Sequence, residues 1–268
     1  MGKVDSKADK YYNMSNLEEL MDALRKKGGC PWDRAQTHES LKPHLIEEAY
    51  EVLEALEEKD DTLLQEELGD LLLQVLFHST IAKEQGRFQL RDVMQGLGEK
   101  IVFRHPHVFK DRVANSEGEA MESWEDQKAK EKNITSTTES MKRVPKHLPA
   151  LMRANKIQGK ARHVGFDWDD PEDVIKKVHE ELGELLEAKE LGDPSKIKEE
   201  GGDLLFSVVN LLRFFDVEPE GALNATTDKF IRRFASVEED AVKSGKPMKN
   251  MDLQELEALW QEAKRKKC

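Results

Sequence analysis

The sequence is poor in cysteine and has no long hydrophobic run. Among 268 residues the only cysteines are Cys30 and Cys268, too few for a disulfide framework or a cysteine-rich zinc site, so we expect a reducing, cytoplasmic environment. No apolar stretch approaches the roughly 18 residues of a membrane span, and residues 1–16 are too polar for a secretory signal, so we expect no membrane association. Basic residues number 42 against 54 acidic ones, which argues against a nucleic-acid partner.

The residues that are abundant favour helices. Charged residues make up 36% of the chain, and Glu, Leu, Lys and Ala, which dominate it, are good helix formers. Leu45, Ala49, Val52, Leu53 and Leu56 recur at spacings typical of one helix face. No alternating run rich in valine and isoleucine is present. The sequence therefore predicts an all-α fold.

Short motifs of the first half of the chain recur in the same order about 130 residues later. Leu20-Met21-Asp22-Ala23, for example, has its counterpart in Leu151-Met152-Arg153-Ala154. Between the copies, the Ser/Thr-rich residues 135–140 and the prolines at 145 and 149 are typical of a linker. We predict a tandem duplication of helical-hairpin, four-helix-bundle-like domains, with residues 1–133 and 150–268 joined by a linker at 134–149.

Acidic residues follow a regular pattern in the first copy. Glu48 and Glu51 are three positions apart and so share a helix face, and the same holds for Glu67 and Asp70. Between the pairs, Lys59-Asp60-Asp61-Thr62 is a turn signal in which Asp61 or Thr62 is the expected N-cap of the next helix. Positions 48 and 70, like positions 51 and 67, are equidistant from residue 59. A hairpin that turns there brings each pair to the same height.

The second copy repeats this arrangement. Glu181 with Asp203, and Glu184 with Glu200, are equidistant from Gly192. Gly192 lies in Leu191-Gly192-Asp193-Pro194, where glycine ends one helix and Asp-Pro begins the next. The second copy is therefore also predicted to be a hairpin with facing carboxylates.

Facing carboxylates repel each other, so they need protons or a cation. Two unit charges 4 Å apart interact by about 4 kcal/mol at an effective dielectric constant of 20. Ligation by carboxylate oxygens alone suits Mg²⁺ or Mn²⁺. A di-iron carboxylate centre is disfavoured because no histidine follows a glutamate by three positions. The alternative is a solvated acidic face, which an acid-rich helical protein also produces by chance.

Basic residues of the second copy suggest a phosphate ligand. Lys229, Arg232 and Arg233 lie on one predicted helix, and Lys177 precedes Glu181 by four positions. Cations beside an acid-bound metal are a common way to hold polyphosphate, although a solvated basic face explains them equally well. In the first copy Lys100 and Arg104 remain, but Phe103 stands where Arg232 would be.

Aromatic residues accompany both copies. Trp124 and Trp260 lie upstream of lysines near the end of each repeat, and each is either core or a base-stacking residue. Gly29-Cys30-Pro31-Trp32-Asp33 and Gly165-Phe166-Asp167-Trp168 precede the acidic helices. These loops either close over a base or cap the helices.

Taken together, these motifs resemble the MazG family of nucleoside triphosphate pyrophosphohydrolases. The motifs are the Gly29–Asp33 loop, the Glu-Glu-x-x-Glu and Glu-x-x-Asp pairs, Arg104-His105-Pro106-His107-Val108-Phe109, and Lys229-Phe230-Ile231-Arg232-Arg233-Phe234. The similarity extends from about Leu17 to Lys267 and includes the duplication. It implies a homodimer of helical hairpins that hydrolyses NTPs or dNTPs to a nucleoside monophosphate and pyrophosphate with Mg²⁺, or with Mn²⁺.

The resemblance also assigns roles to residues. The expected metal ligands are Glu181, Glu184, Glu199, Glu200 and Asp203, and, in the first copy, Glu48, Glu51, Glu67 and Asp70, with Glu66 beside them. The expected catalytic carboxylates are Glu180, Glu184, Glu47 and Glu51. The expected nucleotide contacts are Lys177, Lys196, Lys229, Arg232, Arg233 and Trp260, and, in the first copy, Lys100 and Arg104.

Several alternatives stay open at this point. A related all-α enzyme would act on dUTP or phosphoribosyl-ATP, a nucleotide sensor would bind without cleaving, and a helical scaffold or regulatory partner would bind no nucleotide. The sequence selects neither the base nor the active copy.

Overall fold

The computed structural model describes residues 12–111 and 113–266, and within these ranges it consists of helices and turns without a β-strand. The predicted all-α fold is confirmed. The chain forms two units, the first ending at Lys128 and the second beginning at Ala129. Cys30 is a free thiol, whereas Cys268 lies outside the described residues. No helix of the described part of the chain is both long and apolar enough to cross a membrane.

The helices of the first unit are α1 (Met14–Arg25), α2 (Pro31–Ala35), α3 (Lys42–Glu58), α4 (Asp61–Glu84), α5 (Leu90–Arg104), α6 (Pro106–Phe109) and α7 (Glu117–Glu131), the last of which continues past Lys128. Helices α3 and α4 form the hairpin, and α1 and α5 pack against α4.

The helices of the second unit are α8 (Thr137–Lys142), α9 (Ala150–Arg162), α10 (Pro171–Leu191), α11 (Pro194–Phe214), α12 (Pro219–Ser244) and α13 (Leu253–Arg265), with a 3₁₀ turn at Met248–Asn250. Helices α10 and α11 form the hairpin, α9 packs against α11 and α12, and α13 packs against α12.

Both hairpins turn at the residue that lies midway between their paired acidic residues. Lys59 and Gly192 end α3 and α10 in the left-handed conformation, with φ of 56° and 65°. Glycine adopts this conformation without the steric penalty of a side chain. The Asp193 carboxylate then caps α11 by accepting from the backbone N–H groups of Ser195 and Lys196, at 2.9 and 3.3 Å.

The N-cap expected in the first hairpin was wrong by one residue. Asp60, rather than Asp61 or Thr62, caps α4. Its carboxylate accepts from the N–H groups of Thr62 and Leu63 at 2.9 and 3.1 Å. Because Lys59 has already left the α3 helix, Asp60 is the residue with extended backbone and a side chain able to reach those donors.

The segment 134–149, expected to be a linker, contains helix α8. The Ser136 hydroxyl accepts from the Glu139 N–H at 3.1 Å, and Glu139 accepts from the Thr135 N–H and from Arg143. These contacts lower the pKa of Glu139 to about 2, with the Thr135 backbone bond the largest cause. Helix α8 packs against α9, and Val144 is buried. The domain limits of 133 and 150 stay a prediction.

The first unit has a core built mainly on α4. Its buried members are Met21, Leu41, Leu76, Phe77, Ile81 and Leu90. These side chains come from α1, the chain before α3, α4 and the start of α5. They fix the end of α4 beyond its acidic residues, so the acids lie at the edge of the core.

The second unit buries smaller side chains along its hairpin and its two last helices. The buried apolar residues there are Val144, Val174, Ala188, Val209, Val237, Ala241 and Ala263. Val174 and Val209 lie on α10 and α11, on either side of the second acidic group in sequence. The hairpin that carries these acids is therefore packed into its unit.

Replacement of Phe77 by alanine tests the first core. Phe77 is 3% exposed, whereas Phe88 is 41% exposed. We expect Phe77→Ala to lower the free energy of unfolding of the first unit by about 3–5 kcal/mol, because it removes buried apolar surface and leaves a cavity. Phe88→Ala is the control and should have a far smaller effect in urea titrations followed by circular dichroism. Equal midpoints for the two variants would contradict this core.

Candidate metal centre

The first hairpin brings three carboxylates to one point. One oxygen from each of Glu48, Glu67 and Asp70 lies within 4.8 Å of the others. Glu48 comes from α3, while Glu67 and Asp70 lie on neighbouring turns of α4. Oxygen atoms at this separation are able to share one divalent cation.

The charges in this first acidic group oppose one another. Burial raises the pKa of Glu48, and the neighbouring Asp70 and Glu51 raise it further. Partial removal from water likewise raises the pKa of Glu67, followed by the charges of Glu51 and Asp70. Glu51 therefore belongs to the same group. A raised carboxyl pKa means that ionisation disfavours the fold, a cost that is absent at acidic pH and grows as the pH rises.

The second hairpin repeats the arrangement. One oxygen from each of Glu181, Glu184 and Glu200 lies within 4.8 Å of the others. Partial desolvation raises the pKa of Glu184, and the charges of Glu181 and Glu200 add to this effect. Glu181 is buried, and it lines a cavity together with Asp203. The four acids expected in this copy are thus gathered on α10 and α11.

Lys177 neutralises part of the second acidic group. Its Nζ lies 2.7 Å from a carboxylate oxygen of both Glu180 and Glu181. These two bonds raise the pKa of Lys177, with Glu180 the larger cause, so the side chain stays cationic. Lys177 is therefore a fixed positive charge at the edge of the acidic group.

The first unit differs at the corresponding position. His44 precedes Glu48 by four residues, as Lys177 precedes Glu181, and its Nδ1 lies 3.4 Å from Glu47. A histidine carries charge only when protonated, so the first unit has no permanent cation there. The sequence analysis missed this residue, although the alignment of the two repeats contains the signal.

A buried glutamine also distinguishes the first unit. Gln74 lies one turn after Asp70, and its Nε2 donates to the Glu48 carboxylate at 3.4 Å. Its Oε1 is buried and has no hydrogen-bond partner among the described residues. The corresponding residue of the second unit, four positions after Asp203, is Ser207. The acids are shared by the two units, but their surroundings are not.

A cavity of about 620 Å³ adjoins the second acidic group. Lys177, Glu181 and Asp203 lie along its wall, and Phe166 and Trp168 line it as well. The 165–168 loop is held by Arg213, whose Nη1 donates to the Asp167 carboxylate at 2.9 Å. The loop aromatics therefore belong to a pocket that runs up to the acids.

In the first unit the corresponding loop places Trp32 between two other rings. The Trp32 ring lies 6.3 Å from His44 and 6.3 Å from Phe77, both in edge-on geometry. Trp32 is thus close to the residue that replaces Lys177, and it is more than half exposed.

Lys177 lines this cavity, whereas the other expected basic residues of the second copy are not part of its lining. Lys229, Arg232 and Arg233 are on α12, and no carboxylate lies within ion-pair distance of them in the described part of the chain. Trp260, on α13, packs on Phe230 with ring centroids 5.1 Å apart. Lys196 and Glu199 are exposed in the first turns of α11. All of these residues lie outside the cavity lining.

In the first unit, one of the two expected cationic side chains packs against an aromatic ring. Arg104 is 7% exposed, and its guanidinium lies 5.1 Å from the centre of the Trp124 ring. The Lys128 ammonium lies 4.3 Å from the same ring. Lys100 is exposed. Trp124 therefore receives two cations, which argues for a structural role of Arg104 in this unit.

The two acidic hairpins fall within two matches to one protein family. A sequence model described as the MazG nucleotide pyrophosphohydrolase domain matches residues 36–109 and 169–237. Together the two matches cover more than half of the chain, and each contains one acidic group. The chain belongs to the MazG family.

Proteins of three bacteria match this chain over nearly the whole of its own length. The nucleoside triphosphate pyrophosphohydrolase/pyrophosphatase MazG of Thermotoga maritima is 50% identical over 248 residues, covering 92% of this chain and 94% of the relative. The nucleoside triphosphate pyrophosphohydrolase of Escherichia coli K12 is 40% identical, covering 94% and 98%. Protein YabN of Bacillus subtilis is 48% identical, but the match covers only 52% of its length.

The second acidic group predicts that the thermal stability of the protein responds to divalent cations. We expect Glu184→Gln to raise the thermal midpoint in EDTA, since it removes a repelling charge, and to reduce the rise that Mn²⁺ produces in the unsubstituted protein, with the remaining rise coming from the first acidic group. Glu187→Gln, one turn further along α10 and exposed, is the matched control and should keep the Mn²⁺ response. A Mn²⁺ response as large in Glu184→Gln as in the unsubstituted protein would contradict cation binding at this group.

Proposed function

We propose that this chain hydrolyses nucleoside triphosphates, NTPs or dNTPs, to the nucleoside monophosphate and pyrophosphate. The observation that carries the proposal is the cavity of about 620 Å³ that opens directly onto the second acidic group. Such a pocket offers an apolar wall for a base next to carboxylates suited to a phosphate-bound metal. The names of the Thermotoga and Escherichia relatives support the same reaction.

The acidic groups fit Mg²⁺ as the resident metal. Among the described residues only carboxylate oxygens converge at these points. Removal from water, and after it the charges of neighbouring carboxylates, raises the pKa values of Glu48, Glu67 and Glu184, and a divalent cation relieves the repulsion. In the second unit the ligands would be Glu181, Glu184, Glu200 and Asp203, with Glu199 beside them. Bound there, Mg²⁺ would supply stabilisation of charge on the phosphate oxygens and would make a water molecule more acidic.

The side chains of the chain then have distinct tasks. Glu180 orients the attacking water and accepts its proton, a role open to a carboxylate within hydrogen-bond reach. The water oxygen bonds to the α-phosphorus, the bond from that phosphorus to the bridging oxygen breaks, and pyrophosphate leaves. Lys177 compensates charge near the acids, and Lys229, Arg232 and Arg233 contact the phosphate chain. Their lack of carboxylate partners within the described residues leaves these three available for this role.

We favour the second unit as the principal catalytic site and retain the first as a second candidate. The second combines the acids with a permanent cation and a cavity, whereas the first has His44 and a packed Arg104. Glu47 would take the part of Glu180 in the first unit.

We also propose that the active form is a cytoplasmic homodimer. The apolar face predicted for α3 is largely exposed within the chain: Leu45, Leu53 and Leu56 are 38%, 49% and 52% exposed. A second copy that covers this face would remove a row of apolar side chains from water. The low cysteine content and the free Cys30 thiol support a reducing compartment.

Pyrophosphate release from a panel of NTPs and dNTPs, with Mg²⁺ and with EDTA, tests the reaction. We expect release that depends on Mg²⁺, with an equal amount of nucleoside monophosphate. Orthophosphate as the product would overturn the position of attack. Binding without any release would indicate a sensor, and no binding would indicate a scaffold with solvated acids.

Substitution of the acidic residues identifies which of the two units is catalytically active. We expect Glu184→Gln to lower kcat about 10²-fold or more, because a ligand of the metal is lost while the side chain keeps its size. If the first unit contributes, Glu51→Gln lowers the remaining activity as well. Glu187→Gln and Glu57→Gln are the controls. Near-normal turnover in Glu184→Gln, Glu51→Gln and the double variant would refute the assignment.

A further inference from the structure

A buried amide in the wall of the second unit's cavity is only half satisfied. Gln158, on α9, is 7% exposed and lines the cavity. Its Nε2 donates to the backbone carbonyl of Phe206 at 2.8 Å. Its Oε1 is buried and has no hydrogen-bond partner among the described residues.

The orientation of this amide is fixed by its partner. A backbone carbonyl only accepts hydrogen bonds, so the NH₂ group of Gln158 must face Phe206 and the carbonyl oxygen must be the free atom. A buried acceptor without a donor destabilises the protein relative to a satisfied one. A ligand that supplies an N–H or O–H donor would remove that penalty, so the free oxygen of Gln158 is suited to ligand recognition.

A neighbouring amide supplies the complementary group. Asn210, on α11, also lines the cavity, and its Oδ1 accepts from Arg213 Nε and Nη2 at 3.0 and 2.8 Å. Because Arg213 donates to the Asn210 oxygen, the orientation of this amide is set and its NH₂ group is able to donate a hydrogen bond to a ligand. The same guanidinium also holds Asp167 of the aromatic loop. The cavity wall therefore presents one acceptor and one donor, both with their orientation set by the protein.

The four nucleobases each carry an N–H donor and an acceptor side by side on one edge, whereas ribose offers only hydroxyl groups and phosphate carries no N–H group. Glu181, Asp203 and Lys177 line the same cavity, and phosphate would be held beside them. We infer that Gln158 is a specificity-determining residue that accepts a hydrogen bond from an N–H of the nucleobase, with Asn210 donating to the adjacent acceptor. This inference rests on the proposed function for the nature of the ligand.

Binding of the reaction product tests the inference without requiring turnover. The four nucleoside monophosphates and ribose 5-phosphate, which lacks only the base, are titrated calorimetrically in the presence of Mg²⁺. We expect the unsubstituted protein to bind at least one nucleotide at least tenfold more tightly than ribose 5-phosphate. Gln158→Met should weaken that nucleotide about tenfold and leave ribose 5-phosphate within about twofold. Gln254→Met, at an exposed position on α13, is the control and should change neither.

Three results would overturn the role of Gln158. Equal affinity of the unsubstituted protein for nucleotides and for ribose 5-phosphate would mean that the cavity does not recognise the base. An equal loss of both ligands in Gln158→Met would mean that the amide only holds α9 against α11. An unchanged nucleotide affinity would mean that the free oxygen is satisfied by water. Gln158→Asn, which keeps an amide but withdraws it from the wall, replaces Gln158→Met if the latter lowers the thermal midpoint severely.

The proposed reaction and the role of Gln158 can be refuted independently of each other. Base-dependent binding that requires Gln158, without pyrophosphate release from any triphosphate, would keep the inference and refute hydrolysis. Pyrophosphate release with the same efficiency in Gln158→Met for every base would keep the reaction and refute the inference.

Discussion

Repulsion between carboxylates on facing helices is the constraint on which the rest of this structure depends. Each hairpin holds acids whose oxygens lie within 4.8 Å of one another, an arrangement that opposes folding unless the charge is compensated. The apolar residues of α4 and α11 anchor the helices that carry these acids. The second unit adds Lys177 as an internal cation, and the first adds the Gln74 amide, which donates to Glu48. Both devices reduce the repulsion but leave the oxygens convergent, which is the condition for binding a cation.

The position of each turn decides whether the acids meet. Lys59 and Gly192 take the left-handed conformation at the midpoints of the two acidic patterns, and an aspartate directly after each caps the following helix. A residue inserted into either turn would shift the register of one helix by about 1.5 Å along its axis and rotate it by about 100°. The facing pairs would then separate. The turn chemistry is therefore part of the functional site, although it lies several helical turns away from it.

The sequence predicted the features that depend on local periodicity. Helices, hairpin turns and the pairing of Glu48 with Asp70 follow from spacings of three or four residues and from helix caps. It did not predict Gln158 or the cavity, because a buried amide without a partner arises only from the way α9 packs on α11. Asp60 was missed as the cap because aspartates occupy two successive positions and the sequence does not show at which one the helix begins. The sequence did not predict the packing of Arg104 either, because this packing depends on a tertiary contact with the Trp124 ring.

The two units keep the same acids but differ in the side chains around them, and this contrast bears on their roles. Repelling carboxylates destabilise a hairpin that binds no cation, and replacement of any one of them by a neutral residue would relieve it. The first unit carries the complete set, with Glu48 and Glu67 at raised pKa, and under the proposed function a cation bound there relieves the repulsion. His44 in place of Lys177, and Gln74 in place of Ser207, alter what lies beside the acids rather than the acids themselves. The duplication therefore preserves the acidic groups while it varies the side chains beside them, and under the proposed function metal binding and nucleotide recognition are separable.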